Sequence, residues 1–309
     1  MDVLTDLLQR SRARGAAFSR TSAHGDWGLK FPGSAPLSAH ALVAGEAFLW
    51  STDPQDALRV FAGDVVLVRE HIPHHLAHAA GTSCVALADA MRTRSGVGRR
   101  VTVGDPVQPL AATFFCGAYR FEGDLCQSML AALPDTLRVR PAAGSTLRAT
   151  MDLIAGEMLR DQPGQQALLD RLLDVALVQI LREHFSTAQA TAPGWFSASA
   201  DPRIGPALQA LHAQPAHPWT VAELAEHALL SRSAFARQFT ELLGVPPLTY
   251  LNDWRMALAR ERLRGSDARL ASIGASLGYA SEFSFAAAFK RHHGTAPGRW
   301  RRQATSWPS

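Results

Sequence analysis

The last third of the chain repeats itself at a fixed spacing. Five residues of a first copy return 50 positions later as the same or a related type. The pairs are Phe235 and Phe285, Phe239 and Phe289, Gly244 and Gly294, Pro247 and Pro297, and Tyr250 and Trp300. Further upstream the offset is 49, so the second copy has one extra residue in its turn. Matches of these residue types at one offset indicate a duplicated structural unit.

The first copy carries the signals of a helix-turn-helix unit. Thr220 and Glu223 have the spacing of a capping box, which predicts the start of a supporting helix. Ser231 is a good N-cap for a second helix, and Gly244 is a good residue to end it.

The second copy follows the same plan, with a second helix that begins at Ser281 and ends at Gly294. A single long helix is predicted over 247–265, and it sets the distance between the two units. A plain helical bundle with solvated arginines is the alternative. Two units, a rigid spacer and a basic bias favour DNA binding.

The stretches "LSRSAFARQFTELLGVPPLTYLNDWRMALARERL" and "IGASLGYASEFSFAAAFKRHHGTAPGRWRR" closely resemble the DNA-binding domain of the AraC/XylS family of bacterial transcription regulators, over about residues 203–302. The resemblance implies two units that enter adjacent major grooves of double-stranded promoter DNA. It places the base-contacting positions at Ser233, Ala236 and Arg237 in the first unit, and near Glu282, Phe283, Ser284 and Ala287 in the second. Arg232 is a further candidate, because the spacing of the two phenylalanines turns it outward.

These positions differ in what they could recognise. Arg237 suits a bidentate contact with guanine, Glu282 could accept from a cytosine amino group, and Phe283 could touch a thymine methyl. Equally, the second unit could mostly grip phosphates, with basic side chains nearby at Lys290, Arg291, Arg299, Arg301 and Arg302.

The charge is concentrated at the same end. Residues 201–309 hold 13 Lys and Arg against 8 Asp and Glu, a net charge of +5, whereas the other 200 residues hold 18 against 19. A polyanion partner is therefore expected for the C-terminal third only.

The front of the chain has a different pattern. Short apolar or alternating runs over 26–122, separated by Gly, Pro, Asp and Ser, predict a β-sandwich or barrel. A short helix is expected near 124–133, followed by two longer helices over 145–161 and 165–185 that form a hairpin. The second of these is rich in apolar residues, which suggests a homodimer surface: Leu168, Leu169, Leu172, Leu173, Ala176, Leu177, Ile180 and Leu181.

Four histidines cluster in "GDVVLVREHIPHHLAH", residues 63–78. The stretch resembles the second conserved motif of the cupin barrel, in which a glycine is followed eleven positions later by a metal-binding histidine. That count runs from Gly63 to His74. The resemblance covers about residues 20–122, and its first motif would place a glutamate at Ser38 and two histidines near Gly33, neither of which is a ligand.

No metal site is therefore predicted, and no cofactor. His40 lies on a neighbouring strand and could point inward beside His74. We expect a cupin pocket that has lost its metal and binds a small effector through these two histidines. The alternative is that these histidines only complete hydrogen bonds at the rim and in the turn of the barrel. His71, His75 and His78 are expected in turns or at the surface.

The cysteines allow a rival hypothesis, a thiol-based oxidant sensor. Cys84 and Cys116 lie on predicted strands, where an inert buried thiol is the default, and Cys126 starts a predicted helix, whose dipole can lower a thiol pKa. Three cysteines in a chain with no secretory signal or apolar membrane span favour a reducing cytoplasm.

The resulting prediction is a multidomain protein. It has a cupin-like sensing barrel over 1–143, a dimerising helical hairpin over 144–187, a linker over 188–202 and an all-α DNA-binding domain over 203–309. It would act as a cytoplasmic transcription regulator, not an enzyme, with promoter DNA, a small effector, RNA polymerase and a second copy as partners. A cupin metalloenzyme fused to a DNA-binding domain is the competing class.

Overall fold

The structure is a computed structural model that describes residues 17–92, 100–119, 133–160, 162–187 and 194–305. These residues belong to two compact units, one ending at Thr187 and the other following it. The predicted short helix near 124–133 falls almost wholly outside the described residues, as does Cys126.

The first unit is built on one ten-stranded sheet that curls into a cupin-like half-barrel. Its strands are β1 (Ala17–His24), β2 (Gly28–Phe31), β3 (Leu37–Trp50), β4 (Leu58–Phe61), β5 (Val65–Arg69), β6 (His74–Ala77), β7 (Val85–Ala86), β8 (Arg100–Gly104), β9 (Leu110–Tyr119) and β10 (Thr136–Val139). The main path runs β7-β2-β6-β3-β9-β1-β8, with β5 and β4 paired to β3 and β10 paired to β5.

The long strand β3 joins two parts of this sheet. Its first half pairs with β5 and β9, and its second half pairs with β4 and β6. A register shift after Leu42 and a left-handed φ of +81° at Gly45 separate the halves. A Cβ at Gly45 would lie 2.0 Å from the carbonyl oxygen of Ala111, so only glycine allows this close approach.

Residues of β3 and β9 alternate between two faces. The inward face carries His40, Leu42, Phe114 and Cys116, part of a core that also holds Trp27, Leu29 and Phe31. The outward face is covered by the helical hairpin, α2 (Thr146–Glu157) and α3 (Gln165–Thr187). The Tyr119 hydroxyl donates to the Leu173 carbonyl oxygen across this contact, at 3.2 Å.

The hairpin was predicted, but most of its apolar surface is used within the unit. Six of the eight residues expected at a dimer surface are buried: Leu169, Leu173, Ala176, Leu177, Ile180 and Leu181. Of the eight, only Leu168 is exposed. Exposed apolar side chains do occur elsewhere on these helices, at Leu153 and Val175. A separate short helix, α1 (Leu87–Arg92), lies beside β2 and β8.

The second unit is entirely helical in its described part. Its helices are α4 (Gly194–Ala200), α5 (Ile204–Ala213), α6 (Val221–His227), α7 (Arg232–Leu243), α8 (Pro247–Gly265), α9 (Leu270–Ala275), α10 (Glu282–His293) and α11 (Pro297–Thr305). Within the predicted linker over 188–202, residues 194–200 form α4. Gly194 packs so closely against α7 that a Cβ there would lie 1.9 Å from the Leu242 carbonyl oxygen.

The predicted caps of the duplicated unit are present. Thr220 and Glu223 form a complete capping box, and Ser231 and Ser281 cap α7 and α10 with their side chains. Gly244 and Gly294 end these helices in the left-handed conformation, with φ of 76° and 72°. The four phenylalanines of the repeat are fully buried. Among the helices described, none is long and apolar enough to cross a membrane.

Candidate DNA interface and barrel cavity

The helix α7 presents a polar face because its two phenylalanines point into the core. Phe235 and Phe239 lie one turn apart and are fully buried, which turns Arg232, Ser233 and Arg237 toward solvent. Ala236 is half-buried between them. The Arg237 side chain is 75% exposed and lies 3.9 Å from the Glu241 carboxylate. An exposed ion pair at this distance contributes little to stability, so the Arg237 guanidinium is available to a partner.

The matching face of α10 is less polar. Glu282, Phe283 and Ala287 are exposed, and the Phe283 ring is 84% exposed although it is a large apolar side chain. Ser284 has a structural task, since its hydroxyl accepts from the Ser281 amide at 3.2 Å and donates to the Ser281 carbonyl oxygen at 2.8 Å. A base contact by Ser284 would compete with this cap.

The predicted phosphate contacts lie at the C-terminal end of α10 and on α11. Four of them are exposed: Lys290, Arg291, Arg299 and Arg302. Arg301 is half-buried and donates to the Ala268 carbonyl oxygen at 2.7 Å, so it also holds the preceding loop.

The turns of the two copies share a left-handed residue that the repeat in the sequence did not reveal. Leu229 has a left-handed φ of 53° and is 93% exposed, and the equivalent residue of the second copy is Gly278, with φ of 85°. The two turns close with the same pair of backbone hydrogen bonds, to Ala225 and Glu226 in the first and to the residues 49 positions later in the second. A leucine in this conformation is strained, whereas a glycine is not.

In the first unit, His40 and His74 meet inside the half-barrel. Their Nε2 atoms lie 2.8 Å apart, and the Nδ1 atom of His40 lies 3.0 Å from the Cys116 sulfur. All three residues are buried. The Phe31 ring stacks on the His74 imidazole at 4.9 Å and meets His40 edge-on at 4.6 Å. The prediction that the two histidines lie together agrees with this geometry.

Both imidazoles are neutral at pH 7. Burial lowers the pKa of His40 well below its usual value, and the neighbouring His74 lowers it further. Burial also lowers the pKa of His74 to about 4, against an opposing effect of the hydrogen bond to the Ile72 carbonyl oxygen.

The direction of each hydrogen bond among Cys116, His40 and His74 follows from the bond between His74 and the Ile72 carbonyl oxygen. The Ile72 carbonyl oxygen, 2.9 Å from His74 Nδ1, can only accept, so His74 carries its proton on Nδ1. The His74 Nε2 atom must then accept from His40 Nε2, which leaves His40 Nδ1 to accept from the Cys116 thiol. We call this the Cys116–His40–His74 chain.

A cavity of about 130 Å³ opens above this chain. Its lining includes Ser19, Phe31, His40 and Cys116, but His74 lies behind His40 and is not part of the wall. Leu87 and Met91 of α1 line another side. Sequence reasoning missed Ser19 and Phe31, whose only signal was their position on strands adjacent to the histidines.

The cupin ligand positions of the first motif line this cavity but hold no ligand side chains. Gly33 and Ser38, where the resemblance expects histidines and a glutamate, both line it. Cys116 contacts the opposite nitrogen of His40 from His74, so the three side chains do not converge on one point. Across the described part of the chain, no group of three or more His, Cys, Asp or Glu side chains is arranged to hold a metal.

The remaining histidines of the cluster have separate surroundings. His71 is exposed in a turn with a left-handed φ of 65°. His75 is half-buried and stacks on Trp50 at 5.0 Å, and the Nδ1 atom of His78 lies 2.9 Å from the backbone of Trp27.

The two described thiols, Cys84 and Cys116, lack the lowered pKa that an oxidant sensor needs. Burial raises the pKa of the Cys116 thiol strongly, against a smaller effect of the Ser19 hydrogen bond, and burial also raises the pKa of Cys84. A raised pKa keeps the thiol protonated and less nucleophilic. This environment does not support the oxidant-sensing hypothesis for either residue.

Comparison with known proteins agrees with the fold of both parts of the chain. Residues 2–186 match the family described as Cupin, and residues 224–303 match the family described as Helix-turn-helix domain. A protein of Streptomyces lividans named as an AraC-like transcription regulator is 31% identical over 309 residues, covering 99% of each chain. The HTH-type transcriptional regulator AlkR of Acinetobacter baylyi is 27% identical, covering 98% of this chain and 100% of its own.

Among solved structures, the DNA-binding domain of AdpA in complex with a target DNA is 29% identical, with a TM-score of 0.32; the match covers 34% of this chain and 93% of that domain. The two family matches and the full-length relatives cover nearly the whole chain, and they agree with the duplicated helix-turn-helix unit and the half-barrel. This chain belongs to the AraC family of DNA-binding transcription regulators that carry a cupin-like N-terminal domain.

Proposed function

We propose that this regulator responds to a small effector bound in the half-barrel cavity, and that the bound effector changes how the helix-turn-helix units occupy promoter DNA. It would act in the cytoplasm, where the promoter is, together with RNA polymerase. The observation that carries the proposal is the cavity above the Cys116–His40–His74 chain. A cavity with mostly apolar walls and a few polar groups at its floor is typical of a small-molecule binding site.

The connection between cavity and hairpin supports a sensing role. The strands β3 and β9 carry cavity residues on one face and contacts to α2 and α3 on the other. An effector that shifts these strands would therefore shift the hairpin. It must bind one arrangement of the protein better than another, because equal affinity for both changes nothing.

The hairpin is also the proposed homodimer surface, through the side chains that the first unit leaves exposed. Leu168 and Val175 lie two turns apart on one face of α3, and Leu153 is exposed on α2. We further infer that Arg232, Ser233, Ala236 and Arg237 contact bases, with Glu282, Phe283 and Ala287 of the second unit. Exposure supports this role for all of these residues except Ala236, which is half-buried. For Ser284, also predicted to contact bases, the cap that it makes weakens the role.

We infer a regulator without catalytic activity. Its full-length relatives are named as regulators, and His40 and His74 direct their facing nitrogens at each other. Within the described ranges, no third ligand side chain converges with them on one point. The cupin metalloenzyme hypothesis would need three converging ligands.

The test is the double variant His40→Ala, His74→Ala in a reporter strain that carries the protein's own promoter, with an inducer found by a thermal-shift screen. We expect loss of the response to inducer and near-normal effector-independent DNA binding. His71→Ala is the matched control, since that side chain is exposed. A double variant that folds and responds fully would move the sensor away from this cavity. If the double variant unfolds, the cavity-filling variant Ala118→Leu provides the same test.

A further inference from the structure

Among the described residues, the lining of the half-barrel cavity has a polar floor, apolar walls and no charged side chain. Ser19, Cys116 and His40 are adjacent residues of β1, β9 and β3 in register, and all are buried. The next row outward on the same face contains Ala118 and Ser38, which are half-buried. The first row therefore forms the floor, and the second leads toward the opening.

The absence of charge in the lining limits what can bind. None of the lining residues in the described part of the chain is Lys, Arg, Asp or Glu, and His40 is neutral. A carboxylate or ammonium ligand would lose its hydration without gaining a counter-charge, which is strongly unfavourable. Phe31, Leu87 and Met91 supply apolar wall instead, so the body of the ligand should be apolar.

The direction of the hydrogen bonds limits the head group as well. The Cys116 thiol has a single proton, which it donates to His40 Nδ1, so in its hydrogen bond with Ser19 the sulfur accepts and the Ser19 hydroxyl donates. Each donor on the floor is thus used within the chain that ends at the Ile72 carbonyl oxygen. What remains for a ligand is the lone pairs of Ser19 and Cys116, which only accept. Ser38 can donate, but it lies in the outer row, where water can satisfy it.

We propose that the effector is a small uncharged molecule with an apolar body and a hydrogen-bond-donating head, such as an alcohol or phenol, whose hydroxyl donates to the Ser19 oxygen on the cavity floor. This inference rests on the proposed sensing function of the same cavity. A volume of about 130 Å³ suits a body close to one aromatic ring, because an apolar cavity of about 150 Å³ holds benzene.

The probes are three ring compounds of similar size: phenol, which donates, anisole, which only accepts, and benzoate, which is charged. Their dissociation constants for the full chain are measured at pH 7.5 by ligand-observed NMR. We expect phenol to bind about five-fold more tightly than anisole, the effect of one neutral hydrogen bond, and at least about ten-fold more tightly than benzoate.

Three variants locate the effect. Ser19→Ala should remove the difference between phenol and anisole, and Ala118→Leu should abolish binding of both by filling the cavity. Ala111→Leu makes the same substitution at an exposed position of β9 and should leave binding unchanged.

Anisole binding as tightly as phenol, or benzoate binding most tightly, would overturn the donor-head proposal. If these results come with loss of inducer response in the His40→Ala, His74→Ala variant, the sensing function stands and only the ligand class is wrong. If no probe binds and that double variant still responds, both the ligand class and the sensing function fail.

Discussion

At the scale of single residues, the histidine pair is held by bonds within the protein. From the sequence we expected the two histidines to bind the effector themselves. Instead His40 and His74 satisfy each other, and Cys116 and Ile72 complete the chain at either end. A buried polar group that is already paired is stable without ligand. The polar position left for an effector is therefore beside the chain, at Ser19.

Arg237 and Lys290 should differ in what they contribute to DNA binding. Arg237→Ala should weaken binding to the specific site by ~1–3 kcal/mol and relax the preference at one base pair, because a bidentate guanine contact is lost. Lys290→Ala should weaken binding to all sequences alike and reduce the slope of log K against log salt by about 1. Fluorescence anisotropy with operator and random DNA over a salt series measures both. Equal losses on both DNAs for Arg237→Ala would make it a phosphate contact.

The turn residues Leu229 and Gly278 should respond oppositely to substitution. Leu229→Gly relieves the left-handed strain at an exposed site and should leave the free energy of unfolding unchanged or raise it by about 0.5–1 kcal/mol. Gly278→Ala should lower the free energy of unfolding by more than about 2 kcal/mol, for two reasons. A Cβ at this position would lie 2.4 Å from the Ala216 carbonyl oxygen, and alanine is strained at the left-handed φ of this residue. Urea denaturation measures both. A large loss for Leu229→Gly would mean that the leucine side chain has a structural contact.

At the scale of elements, the helical hairpin has a buried and an exposed apolar face. The buried face of α3 packs on β3 and β9 and accounts for most of its leucines. The exposed side chains are fewer than the sequence suggested, so a dimer formed there would depend on a small apolar patch.

Charged substitutions in that patch should therefore break the dimer. Leu168→Glu with Val175→Glu places two like charges on one face of α3, and we expect the full chain to sediment as a monomer at micromolar concentration while the unaltered protein is a dimer. Val107→Glu is the control, because Val107 is 89% exposed and lies outside the hairpin. A double variant that remains dimeric would place the interface elsewhere, and a monomeric unaltered protein would remove the dimer proposal.

At the scale of the whole molecule, stability should depend on pH through the buried histidines. The folded-state pKa of His74 is about 4, and that of His40 is also lowered, whereas an unfolded histidine titrates near its usual 6.5. Between these values the unfolded chain binds more protons, so the free energy of unfolding falls as pH drops from about 6.5 to 4. For His74 alone the loss is roughly 3 kcal/mol.

The measurement is urea denaturation at pH 7.5, 6.5, 5.5 and 4.5. His40→Leu with His74→Leu should flatten the pH dependence, and His71→Leu, at an exposed position, should not. His184, whose pKa is also lowered by burial, leaves a residual slope in the same range. Asp64 is distinguishable: burial acts to raise its pKa, but the hydrogen bonds and charge of Arg140 help to lower it below its usual value, so its contribution is lost only at more acidic pH. An unchanged slope in the double variant would contradict neutral buried imidazoles.

The sequence by itself determined the second unit almost completely. Helix ends and the outward face of α7 depend on local rules, namely capping, glycine conformation and the spacing of Phe235 and Phe239, and each is visible within a few residues. The duplication is visible as a repeat at an offset of 50. The irregular composition of 194–200 hid a short helix, because α4 depends on packing against α7 and not on its own periodicity. The strain at Leu229 was equally hidden, since leucine itself carries no turn signal.

Only the tertiary structure decided the cavity. Ser19, His40, His74 and Cys116 come from four strands that are far apart in sequence, and strand register brought them together. Sequence could place a histidine at the cupin position, but it could not show which nitrogen faces which partner, because that depends on the pairing of β3 with β9 and on the carbonyl of Ile72. Local physics specifies elements, whereas the polarity of a buried hydrogen-bond chain is set by long-range contacts.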